Sequence, residues 1–153
     1  MRTSKIAIFS ALLCSVGALA QPSDVTGWHN VPWSAKKTQV LKALQPWRVH
    51  EAPDGLAVDS YRLNGIAYHV TLTFSLTGLK SAIMTAKDEK GAFARVLAQL
   101  TALYGKPGLE SEYDGDHETV ETRWEWVKPH GNVTLESDET TLTITYAIPS
   151  ATR

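Results

Sequence analysis

Cysteine is almost missing from this chain: 153 residues carry one, Cys14. It lies inside the N-terminal apolar run Ile6 to Val16, so the remainder is held by packing, without disulfides or thiol chemistry. As a lipidation site Cys14 is poorly placed. Leu13 stands where a small residue is required, and the apolar run continues past the cysteine. An excess of either charge sign is also missing, with 15 Lys and Arg against 16 Asp and Glu. Without a basic patch, nucleic acid is not an expected partner. After residue 20 no segment is apolar enough to span a membrane as a helix. There is no Gly-x-Ser-x-Gly elbow and no Gly-rich phosphate loop. The five histidines, His29, His50, His69, His117 and His130, have no zinc-type spacing. These absences remove the usual signatures of an enzyme, and no cofactor or metal is expected.

What is present begins with an address. Arg2 and Lys5 precede the apolar run, and Ala18-Leu19-Ala20 puts small residues at −3 and −1 of a cleavage site. That pattern is a secretory signal peptide over residues 1–20, cut after Ala20, and it predicts a periplasmic or secreted protein. Removal of Arg2 and Lys5 leaves a mildly acidic chain of a length that suits one domain.

Residues 21–32 read as a lead-in, with Trp28 expected to be the most exposed tryptophan. A single domain follows over 33–148, with a short tail at 149–153. Ser34 is expected to cap a first helix whose Val40, Leu41 and Leu44 share a face, and Pro46 ends it. Trp33 and Trp47 bracket that helix. Three strands are expected next: Leu56 to Arg62, Ile66 to Phe74, and Leu79 to Ala86. Asn64-Gly65 joins the first two, since both residues tolerate positive φ. Asp88 is expected to cap a second helix, in which Phe93, Val96, Leu97, Leu100, Leu103 and Tyr104 keep a helical period. Gly105 and Pro107 stop it. Lys106 to Gly115 reads as a loop. Three last strands are expected at Thr119 to Lys128, Asn132 to Ser137, and Thr141 to Ile148. The fold class is therefore α+β: two α-β-β-β units, 33–87 and 88–148, forming a mainly antiparallel sheet with two helices on one face. Leu41-x-Ala43-Leu44 recurs as Leu100-x-Ala102-Leu103 at the matching place.

This order of elements is similar to the tandem α-β-β-β arrangement of the β-lactamase inhibitor protein family. Ser34, Gln39, Val40, Leu44 and Pro46 also resemble the helix motif of small outer-membrane-assembly lipoproteins. Gln45 replaces their usual glycine, and the lipidated cysteine is missing. The resemblance implies a binding or assembly role without catalysis.

The stretch Ser111 to Trp126, SEYDGDHETVETRWEW, is the most charged part of the chain. As a calcium loop counted from Asp114 it puts Thr119 where glycine is needed, although Glu125 fits the final position. An acidic loop feeding a strand is the simpler reading. Glu121 and Glu125 share a strand face at roughly 13 Å, using ~3.3 Å per residue, too far for a glycosidase pair. Arg123 between them reads as part of a cross-strand charge ladder, with a carboxylate or phosphate clamp as the alternative. Trp124 and Trp126 fall on the opposite, apolar side.

The strand residues expected to face away from the helices are His69, Thr71, Thr73, Glu121, Arg123, Glu125, Thr134, Glu136, Thr141, Thr143 and Thr145. Threonine is an ordinary solvent-facing strand residue. The same surface is also broad, polar and rigid, and so suited to binding at low entropic cost. The expected site is His69, Thr71, Thr73, Glu121, Arg123, Glu125 and Thr143. Its expected partner is another periplasmic or envelope protein. A small ligand or cell-wall fragment is the alternative. A hydrolase using Asp59, His69 and Ser81 is the third reading.

Overall fold

A computed structural model of the chain describes residues 23–114, 120–138 and 140–149. Residues 1–20, read from the sequence as a signal peptide, and residues 115–119 of the acidic stretch lie outside the described residues. The described residues form an α+β fold, with two helices and an antiparallel sheet of eight strands.

Chain entry is a two-residue hairpin, β1 (Gly27–Trp28) with β2 (Val31–Pro32). His29 and Asn30 between them both have positive φ, 47° and 62°, the backbone that tight two-residue hairpins require. This corrects the expectation for Trp28. The hairpin folds onto the core, Trp28 is 4% exposed, and its indole N–H meets the Met84 sulfur at 3.3 Å. Trp33 Nε1 donates to the Val25 carbonyl at 2.9 Å and ties the lead-in to the first helix.

Helix α1 (Lys37–Ala43) starts after Lys36, whose backbone N–H is accepted by the Gln39 side chain at 2.8 Å. Ser34 is therefore not the cap. The backbone before the helix is diverted to the sheet, where Leu79 N–H donates to the Ala35 carbonyl. Gly78 permits this approach: a Cβ there would lie 2.6 Å from the Trp33 carbonyl oxygen, and its φ of +145° disfavours other residues. Val40 and Leu44 are fully buried, while Leu41 faces outward.

Helix α2 (Ala92–Tyr104) begins at Gly91, φ 81°, and ends at Gly105, φ 84°. Gly105 thus has the expected role. Asp88 does not cap the helix. Its carboxylate accepts the Ser137 hydroxyl and its N–H donates to the Thr140 carbonyl, so it joins the two halves of the sheet instead.

Each helix precedes four strands rather than three. After α1 come β3 (Arg48–Ala52), β4 (Gly55–Leu63), β5 (Ile66–Ser75) and β6 (Gly78–Lys87). After α2 come β7 (Leu109–Asp114), β8 (Val120–Val127), β9 (Asn132–Ser137) and β10 (Thr141–Ala147). The segment read as a loop, Lys106 to Gly115, thus contains edge strand β7. The sheet order is β3-β4-β5-β6-β10-β9-β8-β7, two meanders joined where β6 pairs with β10.

One side of the sheet carries the core. Val70, Leu72, Met84, Val133, Leu135, Leu142 and Ile144 are at most 1% exposed and cluster with Val40, Leu44, Val96 and Leu100 of the helices. Trp126 closes the far end, its Nε1 donating to the Gly105 carbonyl at 2.7 Å. Trp33, Trp47 and Trp124 pack at the margins of this core.

Candidate functional site

Side chains alternate along a strand, so the residues between core positions line the other face of the sheet. Register places them in rows. His69 on β5 stands beside Thr85 on β6, then Thr143 on β10, Glu136 on β9 and Arg123 on β8. The next row runs Thr71, Ile83, Thr145, Thr134, Glu125. A third starts with Thr73 and Ser81, whose hydroxyls share a hydrogen bond of 2.7 Å. His69, Thr71, Thr73, Arg123, Glu125 and Thr143 therefore fall on one surface, within three adjacent rows. Glu121 lies on β8 opposite Tyr113, and its side chain is outside the described residues.

Arg123 forms a cross-strand pair with its register partner Glu136, Nη1 to Oε1 at 3.1 Å. That is a rung of the expected charge ladder, made to the neighbouring strand and not along β8. Both side chains are more than two-fifths exposed. An exposed pair of this kind contributes about 0.2–1 kcal/mol.

Sequence reasoning missed the most organised part of this face. Between Val58 and Tyr61 strand β4 has one extra residue relative to β5, so Asp59 and Ser60 together oppose His69. Ser60 has a φ of 58°, a sparsely populated conformation for a residue other than glycine. This bulge aims Asp59 along the open face. Its Oδ1 lies 3.0 Å from His69 Nδ1 and its Oδ2 lies 3.4 Å from His50 Nδ1. One carboxylate thus holds two imidazoles, each about half exposed. Because each carboxylate oxygen is turned to a different ring, the three donors do not converge, and no metal-holding group occurs among the described residues. Ser81 stands four residues along β6 from Thr85, the register partner of His69, roughly 13 Å away at ~3.3 Å per residue. Its hydroxyl is turned to Thr73. Asp59 and His69 meet, but Ser81 does not complete a nucleophilic triad with them.

A third histidine has the opposite environment. His29 sits under the core face in a group of rings with Trp28, Trp47 and Tyr61, centroids 4.7–5.5 Å apart. Its Nδ1 is 3.0 Å from the Tyr61 hydroxyl. Burial holds the imidazole below its ordinary pKa and pushes the Tyr61 hydroxyl up. Both groups are neutral near pH 7, and the cluster anchors the β1–β2 hairpin.

The open face is thus a polar, half-exposed surface of threonine hydroxyls, with the Asp59 pair of imidazoles at one side and the Arg123–Glu136 pair at the other. It can donate and accept many hydrogen bonds from fixed positions. Comparison with known proteins finds no matching family model, and no curated protein or solved structure similar to this chain.

Proposed function

We propose that this chain is an exported, non-enzymatic protein of the cell envelope that binds another protein through the open face of its sheet. The observation that carries the reading is the collection of His69, Thr71, Thr73, Thr143, Glu125 and Arg123 into adjacent register rows on strands already fixed by a packed core. Side chains held on paired strands lose little freedom on binding, so their hydrogen bonds count nearly in full. The order helix then four strands occurs twice, and the two sets meet at β6 and β10. That order supports a reading as two equivalent half-units presenting one continuous surface, in the manner of the β-lactamase-inhibitor-like layout. The secretory pattern at residues 1–20 supports export.

The test is a cross-linked capture from the native periplasm with wild-type and Arg123→Glu baits, followed by reconstitution with the purified partner. One protein that forms a one-to-one complex with wild type, and loses it with the charge-reversed variant, supports the proposal. Equal capture by both baits, or no capture by either, overturns it.

A further inference from the structure

A group of like charges lies at the end of the sheet where α2 begins, one row beyond His69, Thr85 and Thr143: Arg62 stands opposite Ala67, and Lys87 opposite Thr141. Arg62 near the end of β4, Lys87 at the end of β6 and Arg95 in α2 line one cavity of about 330 Å³. Its wall is completed by Gly65, Ile66, Ala67, Glu89 and Ala92. The three cations come from three separate elements. Among the described residues none of them forms an ion pair, and Glu89 is the one acid on the wall. The ion pairs Lys37 with Glu51, Arg123 with Glu136, and His130 with Asp24 lie outside this cavity.

The cavity is also built firmly. Asn64 of the β4–β5 turn donates to Gln99 of α2 at 2.9 Å, tying the two walls together. Ala92 is 1% exposed and forms part of the floor. The first turn of α2 has no acidic residue, and Gly91 provides no side-chain cap. The helix end therefore adds to the positive potential already set by the three side chains. Like charges held around a hollow repel each other unless an anion enters.

We infer that this cavity binds a phosphate group, held between the Arg62 and Arg95 guanidinium forks with Lys87 beside them. Three cations and one carboxylate leave a double positive charge, which matches a phosphate monoester of about −2 near neutral pH. Guanidinium forks suit its oxygens. The Ile66, Ala67 and Ala92 wall gives the apolar contact that a phosphate ester, but not a bare ion, can use. A free phosphate ester and a phospholipid headgroup share this chemistry.

The experiment follows amide shifts of the purified protein while glycerol phosphate is added at low ionic strength, with sodium chloride at matched ionic strength as reference. Vesicles of phosphatidic acid, whose headgroup is a phosphate monoester, and of phosphatidylcholine form a second arm, read by co-sedimentation. Saturable shifts at Gly65, Gly91, Ala92 and Arg95 establish the site for a free ester. Binding to phosphatidic acid vesicles alone identifies a headgroup. Each of Arg62→Gln and Arg95→Gln weakens the interaction by about tenfold, the worth of one charge-assisted contact. The combined Arg62→Gln, Lys87→Gln, Arg95→Gln variant abolishes it. No binding in either arm overturns the inference, as does binding that the triple variant retains. Shifts scattered over the whole surface also overturn it, and that readout needs the wild type alone.

Discussion

The two faces of the central sheet are made by alternate residues of the same strands, and both are rich in β-branched side chains. On the covered face these are Val58, Val70, Val133 and Ile144; on the open face they are Thr71, Thr73, Thr85, Thr134, Thr143 and Thr145. Valine and threonine have nearly the same shape and both favour strands, so strand formation does not distinguish the faces. The hydroxyl does. Where helices cover the sheet it would be stranded without a partner, and where nothing described covers the sheet it meets water or a second molecule. A sheet that only needed solvation on that face has Lys and Glu to draw on. Short hydroxyl side chains leave the surface flat enough to be approached closely.

Exchanging the two residue types breaks this comparison most directly. Val70 is fully buried, and Thr71 beside it is half-buried on the other face. Val70→Thr places an unpaired hydroxyl in the core and is expected to cost about 1–3 kcal/mol. Thr71→Val changes stability by no more than about 0.5 kcal/mol. Urea titrations of the two variants provide the check. Equal costs would mean that the open face is as tightly packed as the core, and the distinction between the faces would fall.

A smaller effect comes from the two histidine environments. His29 lies in the ring cluster with its pKa held below the ordinary 6.5 by burial. As pH falls below that value, the unfolded chain takes up a proton at His29 before the folded chain does. Stability therefore declines between the ordinary value and the lowered folded one, and is fully present above pH 6.5. His29→Asn keeps a residue that tolerates the left-handed backbone. Thermal melts from about pH 7.5 to about pH 5 should fall more steeply for wild type than for this variant. Parallel pH profiles would show that the ring cluster does not depend on a neutral imidazole.

Much of the scaffold is legible in the sequence because alternation marks it. Ile66 to Phe74 and Thr141 to Ile148 read as strands, and the structure has them within a residue. The edges are harder. Strand β3 has only Val49 and Ala52 as half-buried positions, and both it and β7 lie at a rim where alternation is weakly enforced. A signal for β3 exists in Pro53-Asp54-Gly55, a turn sequence equal in kind to Asn64-Gly65. The candidate surface is half legible. Parity along each strand selects its residues, and register assembles them. The bulge at Asp59 and Ser60 is not legible, because Ser60 adopts a positive φ without being glycine or asparagine. The cluster of His50, Asp59 and His69 depends on that one inserted residue. The burial of Trp28 is hidden for a similar reason: the tight turn at His29-Asn30 does not announce which way the hairpin folds.

The smallest expected effect sharpens the comparison further, because it separates what the open face does for the fold from what it offers a partner. Arg123 and Glu136 are paired at 3.1 Å with both side chains well exposed. In a double-mutant cycle of Arg123→Ala and Glu136→Ala, the coupling should be about 0.2–1 kcal/mol, and smaller in high salt. A coupling this weak leaves the guanidinium available, since a partner's carboxylate need only displace an interaction worth little in water. Complex formation, in contrast, should respond strongly to Arg123→Glu, because a like charge set against a desolvated acidic group is costly. If the coupling instead exceeds about 2 kcal/mol, outside the range of exposed pairs, Arg123 belongs to the architecture of β8 and β9. Its reversal would then disturb the sheet itself, and a binding loss could not be assigned to the face.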